Sequence, residues 1–194
     1  NRKIYGILAL MIIVGISGAW YFYGQMVQKS GPQTIQDDFE NGFSEWIADS
    51  DVPLDPNNPG YSVEWRIERV TNVSISGQYS LRFFIDGRQD DGTIWIERRI
   101  SVQKNSKIQV KVSFVFYSET ESFNTIAVVC AYAGVRNPET EADFTIVGPA
   151  NEVAGWKDYA YTATVQTGSS EEIWVALGIS VRWETNMAYN IDDV

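Results

Sequence analysis

The chain has 194 residues, of which 44% are hydrophobic and 13% aromatic, and its 15 Lys and Arg against 25 Asp and Glu give a formal net charge of −10. A chain this acidic repels phosphate groups, which excludes nucleic acid as a partner. It contains no histidine and one cysteine, which excludes Ser-His-Asp and Cys-His catalysis and histidine-based zinc sites.

Residues 1–28 are predicted to form a transmembrane signal-anchor helix. No charged residue occurs in 4–23, and a helix of ~20 residues at ~1.5 Å per residue spans the hydrocarbon core of a bilayer. The basic residues before this run place the N-terminus in the cytoplasm and the rest of the chain outside. Gly15 and Ala19 are predicted to form a small-residue surface for packing against another membrane helix. A cleaved signal peptide is the alternative, because the run "SGA" ending at Ala19 suits a signal peptidase.

Residues 29–36 read as a short polar linker, because Gly31-Pro32 cannot continue a helix. From residue 37 onward the hydrophobic pattern has period two, and turn clusters separate strand-length runs. The fold class predicted for 37–194 is therefore all-β, a two-sheet sandwich of about ten strands outside the membrane. The predicted strands are 62–70, 79–87, 92–100, 107–118, 125–134, 142–148, 158–167, 172–181 and a last one within 188–194.

Alternation along two of these strands also assigns their faces. Residues 108–117 direct Ile, Val and Phe to one side, and residues 173–182 direct Ile, Val and Leu to one side. The opposite side of 173–182 carries Trp174, three small residues and Arg182, which predicts a shallow trough. The single cysteine, Cys130, lies in an apolar run and is predicted to be a buried small hydrophobe.

Four segments of the outer domain resemble the jelly-roll carbohydrate-binding modules and the wider galactose-binding-like superfamily. They are "DDFENGFSEW" (37–46), "SISGQYSLRFF" (74–84), "GWKDYAYTATV" (155–165) and the closing "YNIDDV". The resemblance implies a jelly roll in which the first and last strands lie side by side, and in which the last strand continues beyond residue 194.

Such modules often hold a structural calcium ion between the first and last strands. The resemblance therefore implies Ca²⁺ as a cofactor, with Asp38, Glu40, Asp192 and Asp193 as its ligands, since carboxylate oxygens suit this ion. The alternative is that these carboxylates are solvated edge charges that deter pairing with another sheet.

A binding face is the remaining prediction. Aromatic rings and planar polar groups recognise sugars, and the residues expected to share the outer face of one sheet are Trp174, Arg182, Tyr117, Lys111 and Arg82. The same residue types also form protein-docking surfaces, and core packing competes as the interpretation of any single ring. Asn72 begins the N-glycosylation sequon Asn-Val-Ser.

No catalytic set emerges, so a non-enzymatic function is predicted. The leading hypothesis is a single-pass membrane protein at the cell surface or in the periplasm, an accessory subunit whose partners are lipid and other membrane subunits. The alternative is a membrane-tethered module that binds glycans. A hydrolase with two carboxylates is the third and weakest hypothesis.

Overall fold

The computed structural model of the chain describes residues 31–89 and 91–194. Within it, Gln36–Val194 forms one compact unit. None of the helical turns in residues 31–89 and 91–194 has the length and apolarity needed to cross a bilayer. The predicted anchor, including Gly15 and Ala19, lies outside the described residues.

Ten β-strands form two five-stranded sheets in the described part of the chain. The strands are β1 (Ile47–Asp51), β2 (Trp65–Val70), β3 (Ser80–Gly87), β4 (Thr93–Ser101), β5 (Lys107–Ser118), β6 (Ala127–Gly134), β7 (Thr145–Pro149), β8 (Gly155–Gln166), β9 (Glu172–Val181) and β10 (Thr185–Asp192). The first sheet has the order β1-β4-β9-β6-β7, and the second has the order β2-β3-β10-β5-β8. A short 3₁₀ turn, Glu141–Asp143, precedes β7. This confirms the predicted all-β, two-sheet sandwich.

Consecutive strands alternate between the sheets. The pairs β2–β3 and β6–β7 are neighbours within one sheet, and the other connections between consecutive described strands cross to the opposite sheet. As a result, the loops 52–64, 88–92, 119–126, 150–154 and 182–184 all lie at one end of the sandwich. The loop 71–79 and the covering segment described below begin at the other end.

The core follows the predicted alternation. On β5 the side chains of Phe114 and Phe116 are buried, and on β9 every second residue from Ile173 to Val181 is buried. Aromatic rings pack against one another in this core, since Phe116 of β5 stacks on Tyr189 of the neighbouring strand β10 with ring centroids 5.1 Å apart. Such rings dominate the apolar area removed from water.

The segment before β1 closes the sandwich beside its last strand. The backbone N–H of Asp37 donates to the carbonyl of Val194 (2.9 Å), and the N–H of Val194 donates back (3.0 Å). Phe39 turns its ring fully into the core, with a backbone φ of 56°. The segments at 37 and 194 therefore meet, as the resemblance implied, but the first of them is not a strand, and the first strand β1 lies in the opposite sheet from β10.

Candidate functional site

The five residues predicted to share one face lie on two different sheets. Trp174 and its strand-mate Arg182 belong to the first sheet, at and just beyond β9, while Tyr117 and Lys111 lie on β5 and Arg82 on β3 of the second sheet. The prediction of a single shared face is therefore wrong. Alternation shows which residues of one strand point the same way, but it does not show to which sheet the strand belongs.

The trough predicted between Trp174 and Arg182 exists as a row of small residues, but it is closed. Ala176 and Ser180 are buried although they face away from the core. Gly178 lies so close to β4 that an added Cβ would come within 2.2 Å of the carbonyl oxygen of Ile94 and within 2.7 Å of the Trp95 Cβ. Only glycine fits at this crossing.

Residues 135–144 cover this trough, and we call them the covering segment. The ring of Phe144 packs on Trp95 of β4, with centroids 5.0 Å apart. Glu141 pairs with Arg182 (Oε1 to Nη2, 2.6 Å), and its backbone N–H donates to Asp51 Oδ2 (2.9 Å). The predicted site residue Arg182 is thus engaged by the chain itself.

A buried carboxylate lies beneath the covering segment. Glu97 is 3% exposed, and the indole Nε1–H of Trp95 donates to its Oε2 at 2.7 Å. Burial raises the pKa of the Glu97 carboxyl against the lowering effect of hydrogen bonds from Trp95 and Asn137, and the nearby carboxylates of Asp49 and Glu139 raise it further. The ionised form is therefore destabilised here.

The raised pKa of Glu97 gives a pH-dependent stability. The native state binds this proton more tightly than the unfolded chain does. Ionisation of Glu97 therefore lowers the free energy of unfolding at pH values above the folded-state pKa. That loss is absent at pH values below the unfolded-state pKa of about 4.3. The Glu97→Gln variant keeps an acceptor for Trp95 and removes the charge. We expect its stability relative to the natural chain to improve as the pH rises from about 4 to about 7. Urea unfolding at both pH values checks this, and an offset that stays constant or reverses would contradict it.

What stays open on the first sheet is the end that carries Trp174. Its half-buried ring lies 5.7 Å from the guanidinium of Arg99 on β4, and Arg99 also pairs with Glu172 at 3.3 Å. Tyr132 of β6 is half-buried, and its hydroxyl donates to the Arg136 carbonyl (2.9 Å). Two half-buried rings and one cation are thus partly accessible there.

The outer face of the second sheet carries a continuous row of functional side chains, which are partly exposed toward its two ends and buried at Asn190 in its centre, where 5% of the residue is exposed. Five residues are direct partners across all five strands, and we call them the cross-strand row. They are Trp156 (β8), Tyr117 (β5), Asn190 (β10), Arg82 (β3) and Glu68 (β2). At a spacing of ~4.8 Å per strand the row is about 19 Å long.

Each part of the cross-strand row offers a different contact. The half-buried rings of Trp156 and Tyr117 lie 5.2 Å apart with a tilt of 56°. In the centre, Asn190 Nδ2 donates to Ser80 Oγ (2.9 Å), and no donor within the described residues occupies its Oδ1. At the far end Arg82 Nη1 lies 3.9 Å from Glu68 Oε1, with both side chains partly exposed.

Three members of the row were missed by the sequence analysis. Trp156, Asn190 and Glu68 each alternate away from core residues, but their alignment with Tyr117 and Arg82 depends on the register of four antiparallel pairs. Lys111 shares the outer face of β5 with Tyr117, but it lies six residues away, about 20 Å along the strand.

The carboxylates predicted as calcium ligands hold the loop 71–79. Glu40 Oε1 accepts the N–H groups of Gln78 (2.8 Å) and Tyr79 (2.7 Å). Asp192 Oδ2 accepts those of Ile75 (3.0 Å) and Ser76 (3.4 Å).

The other two predicted ligands are on the surface. Asp193 Oδ1 accepts the hydroxyl of Ser76 at 2.7 Å, and Asp38 Oδ1 accepts only the N–H of Glu40 among the described residues. In residues 31–89 and 91–194, no group of three or more Asp, Glu or Cys side chains is placed to hold a metal ion. The side chains as arranged serve backbone amides, and a calcium ion stays a prediction of the resemblance.

Burial raises the pKa of the Asp192 carboxyl, against the lowering effect of three backbone N–H donors.

Asn72 is exposed in the 71–79 loop, so its side chain is accessible, and glycosylation there stays a prediction. Cys130 is buried, as predicted.

No protein-family model and no curated protein matches the chain, but solved structures do. A carbohydrate-binding module of the β-sandwich superfamily, studied for its promiscuous specificity, is 13% identical with a TM-score of 0.50 over 80% of this chain and 58% of that one. The CBM22-1–GH10 modules of a Clostridium thermocellum endo-1,4-β-D-xylanase, complexed with xylohexaose, are 14% identical with a TM-score of 0.50 over 85% of this chain and 28% of that one. TmCBM61 in complex with β-1,4-galactotriose is 14% identical, with a TM-score of 0.47 over 80% of this chain and 90% of that one. At these identities the two likenesses with a TM-score of 0.50 show the fold alone: the chain has a β-sandwich like the one in those modules.

Proposed function

We propose that the chain is a non-catalytic module that binds a neutral saccharide along the cross-strand row. The observation that carries the proposal is the alignment of two aromatic rings, an amide, a guanidinium and a carboxylate in register across the outer face of one sheet, with the amide of Asn190 as the one buried member. This is the combination that a sugar site needs, because pyranose faces stack on rings and hydroxyls bond to planar polar groups.

The charges favour a neutral ligand. Arg82 and Glu68 lie at the same end of the row and offset one another, while the chain as a whole carries a net charge of −10. An anionic polysaccharide would be repelled over the whole surface. The carboxylate and the guanidinium are then best used as hydrogen-bond partners for hydroxyl groups.

The other hypothesis, an accessory subunit of a membrane or cell-surface complex, depends on the anchor predicted at 1–28. The anchor, the lipid and membrane-subunit partners, and the extracytoplasmic location stay predictions. Trp, Tyr and Arg are also the residues of protein hot spots, so the row alone does not separate the two functions. Absence of sugar binding would favour the subunit.

The test is retention of the protein on a panel of neutral polysaccharides, followed by calorimetry with an oligosaccharide of the retained one. The Trp156→Ala and Tyr117→Ala variants are each expected to bind about tenfold more weakly or worse, because losing a stacking ring removes ~1.4 kcal/mol or more.

Thr162→Ala is the matched control. Thr162 is exposed on the same face of β8, six residues from Trp156 and about 20 Å along the strand, and its replacement should leave binding unchanged. The proposal fails if no neutral polysaccharide retains the protein, or if the two ring variants bind as well as the control.

A further inference from the structure

Five large apolar side chains stand in solvent at one end of the sandwich, and we call them the apolar end. Their exposed fractions are 67% for Leu54, 66% for Tyr61, 108% for Phe123, 39% for Val153 and 55% for Trp183. All of them lie in loops that meet at this end. Single exposed hydrophobic residues are ordinary, but five gathered on neighbouring loops mark an interaction surface.

Hydrogen bonds hold these loops beside one another. The N–H of Ser122 donates to the carbonyl of Asn151 (3.0 Å), which joins the loops of Phe123 and Val153. The N–H of Arg182 donates to the carbonyl of Ile126 (2.8 Å), which adds the turn of Trp183. The apolar side chains on these three loops therefore project from connected backbone.

The loop 52–64, which carries Leu54 and Tyr61, is held by hydrogen bonds within the loop and to β3. Leu54 bridges to Ser62, and the N–H of Asp55 donates to the carbonyl of Tyr61 at 2.8 Å. The N–H of Asp86, at the end of β3, donates to the carbonyl of Glu64 (2.8 Å), which ties the loop to the second sheet. A loop fixed in advance loses little entropy on binding, which favours an interface.

Acidic side chains surround the apolar end. The loops that form it carry the carboxylates Asp55, Glu64, Asp91, Glu119, Glu121, Glu152 and Glu184 and the cations Arg88 and Arg182. Both cations are already paired, Arg88 with Asp86 and Arg182 with Glu141. Two of the carboxylates are paired as well, Glu64 with Arg66 and Glu152 with Lys157, and the other five form no ion pair among the described residues. An acidic border repels a second copy of the chain and an anionic lipid surface, and it attracts a basic partner.

We propose that the apolar end docks onto a protein surface whose apolar centre is bordered by Lys and Arg. Phe123 and Trp183 supply the central anchors, because aromatic side chains carry most of the binding energy at interfaces. The carboxylates of the border steer the encounter and select against other partners. The loops 119–126 and 150–154 of this surface adjoin Tyr117 and Trp156 of the cross-strand row, which lies on the outer face of the second sheet.

The probe is a synthetic amphipathic helix with a leucine face bordered by lysines, titrated into the protein with Trp fluorescence and amide chemical shifts as readouts. We expect shifts confined to the loops of the apolar end and an affinity that falls as salt is raised. The Phe123→Ser/Trp183→Ser double variant should bind the peptide at least about tenfold more weakly. Ile146→Ser is the matched control, because Ile146 is 58% exposed but lies on β7, away from these loops.

A second variant tests the charged border. Glu119→Gln/Glu121→Gln/Glu184→Gln leaves the apolar side chains in place and should both weaken binding and flatten its salt dependence. The proposal is overturned if the peptide does not bind or binds the double variant equally well. Binding to phosphatidylcholine vesicles would overturn it in favour of a lipid surface, and dimerisation by sedimentation that the double variant abolishes would overturn it in favour of a second copy.

Discussion

The Trp95→Ala variant is expected to lose about 3–5 kcal/mol of unfolding free energy, the cost of deleting a fully buried tryptophan. Trp95 points away from the core, yet it is 0% exposed because Phe144 and the rest of the covering segment lie on it. The variant also deprives the buried Glu97 carboxylate of its indole donor. Urea unfolding followed by circular dichroism measures the change.

Trp183→Ala is the control for this loss, because Trp183 is 55% exposed and its removal should change stability by no more than about 0.5 kcal/mol. Hydrogen exchange of residues 135–144 should also quicken in Trp95→Ala, since the segment loses its main apolar contact. A loss below about 1 kcal/mol would mean that the covering segment does not seal this face.

The Arg98→Met variant is expected to lose about 3 kcal/mol, because it removes one partner of a buried ion pair and leaves the other uncompensated. Arg98 is buried between the segment before β1 and the first sheet. Its Nη2 donates to Glu45 at 2.5 Å, its Nη1 lies 3.9 Å from Asp37 Oδ2, and its guanidinium lies 5.3 Å from the Trp46 ring. The same unfolding assay measures the loss.

A double variant separates the charge effect from lost packing. Asp37→Asn/Arg98→Met removes both charges and keeps an acceptor for Ser44, whose hydroxyl donates to Asp37 Oδ1 at 3.0 Å. It should be more stable than Arg98→Met alone, since no unpaired carboxylate remains. A double variant that is no more stable than Arg98→Met would contradict this account.

The strands and their faces were predictable because the period-two pattern is local. The predicted runs 107–118 and 172–181 match β5 and β9 residue for residue, and the side chains assigned to one face of each strand pack into or against the core. β1 was missed because "IADSD" shows no clean alternation, and pairing with β4 holds it in place. The predicted strand 142–148 was placed too early, because its first residues belong to the covering segment and β7 begins at Thr145.

The arrangement of the candidate site was not predictable, because it depends on long-range pairing. Asn190 meets Tyr117 and Arg82 only because β10 lies between β5 and β3, and no local pattern encodes that neighbour order. The covering segment was missed for a similar reason. The trough beneath it shows as a run of small residues, while the segment that fills it reads as a turn.

The seam between the first and last segments shows how far a resemblance reaches. The resemblance predicted that the two ends of the domain meet, and backbone hydrogen bonds between Asp37 and Val194 join them. The resemblance named Asp38 as one of the calcium ligands in the first segment, but Asp38 is exposed. The neighbouring Asp37 is the carboxylate that turns inward toward Arg98. Family motifs carry the position of a contact more reliably than the residue that makes it.

The measurement that most directly tests the central claim compares Trp156→Ala with Trp174→Ala for binding to the polysaccharide that retains the natural protein. Each variant removes one half-buried tryptophan, the first from the outer face of the second sheet and the second from the open end of the first sheet. We predict that Trp156→Ala weakens binding about tenfold or more while Trp174→Ala binds like the natural chain. Loss of binding in Trp174→Ala with Trp156→Ala unaffected would contradict the assignment of the saccharide to the cross-strand row.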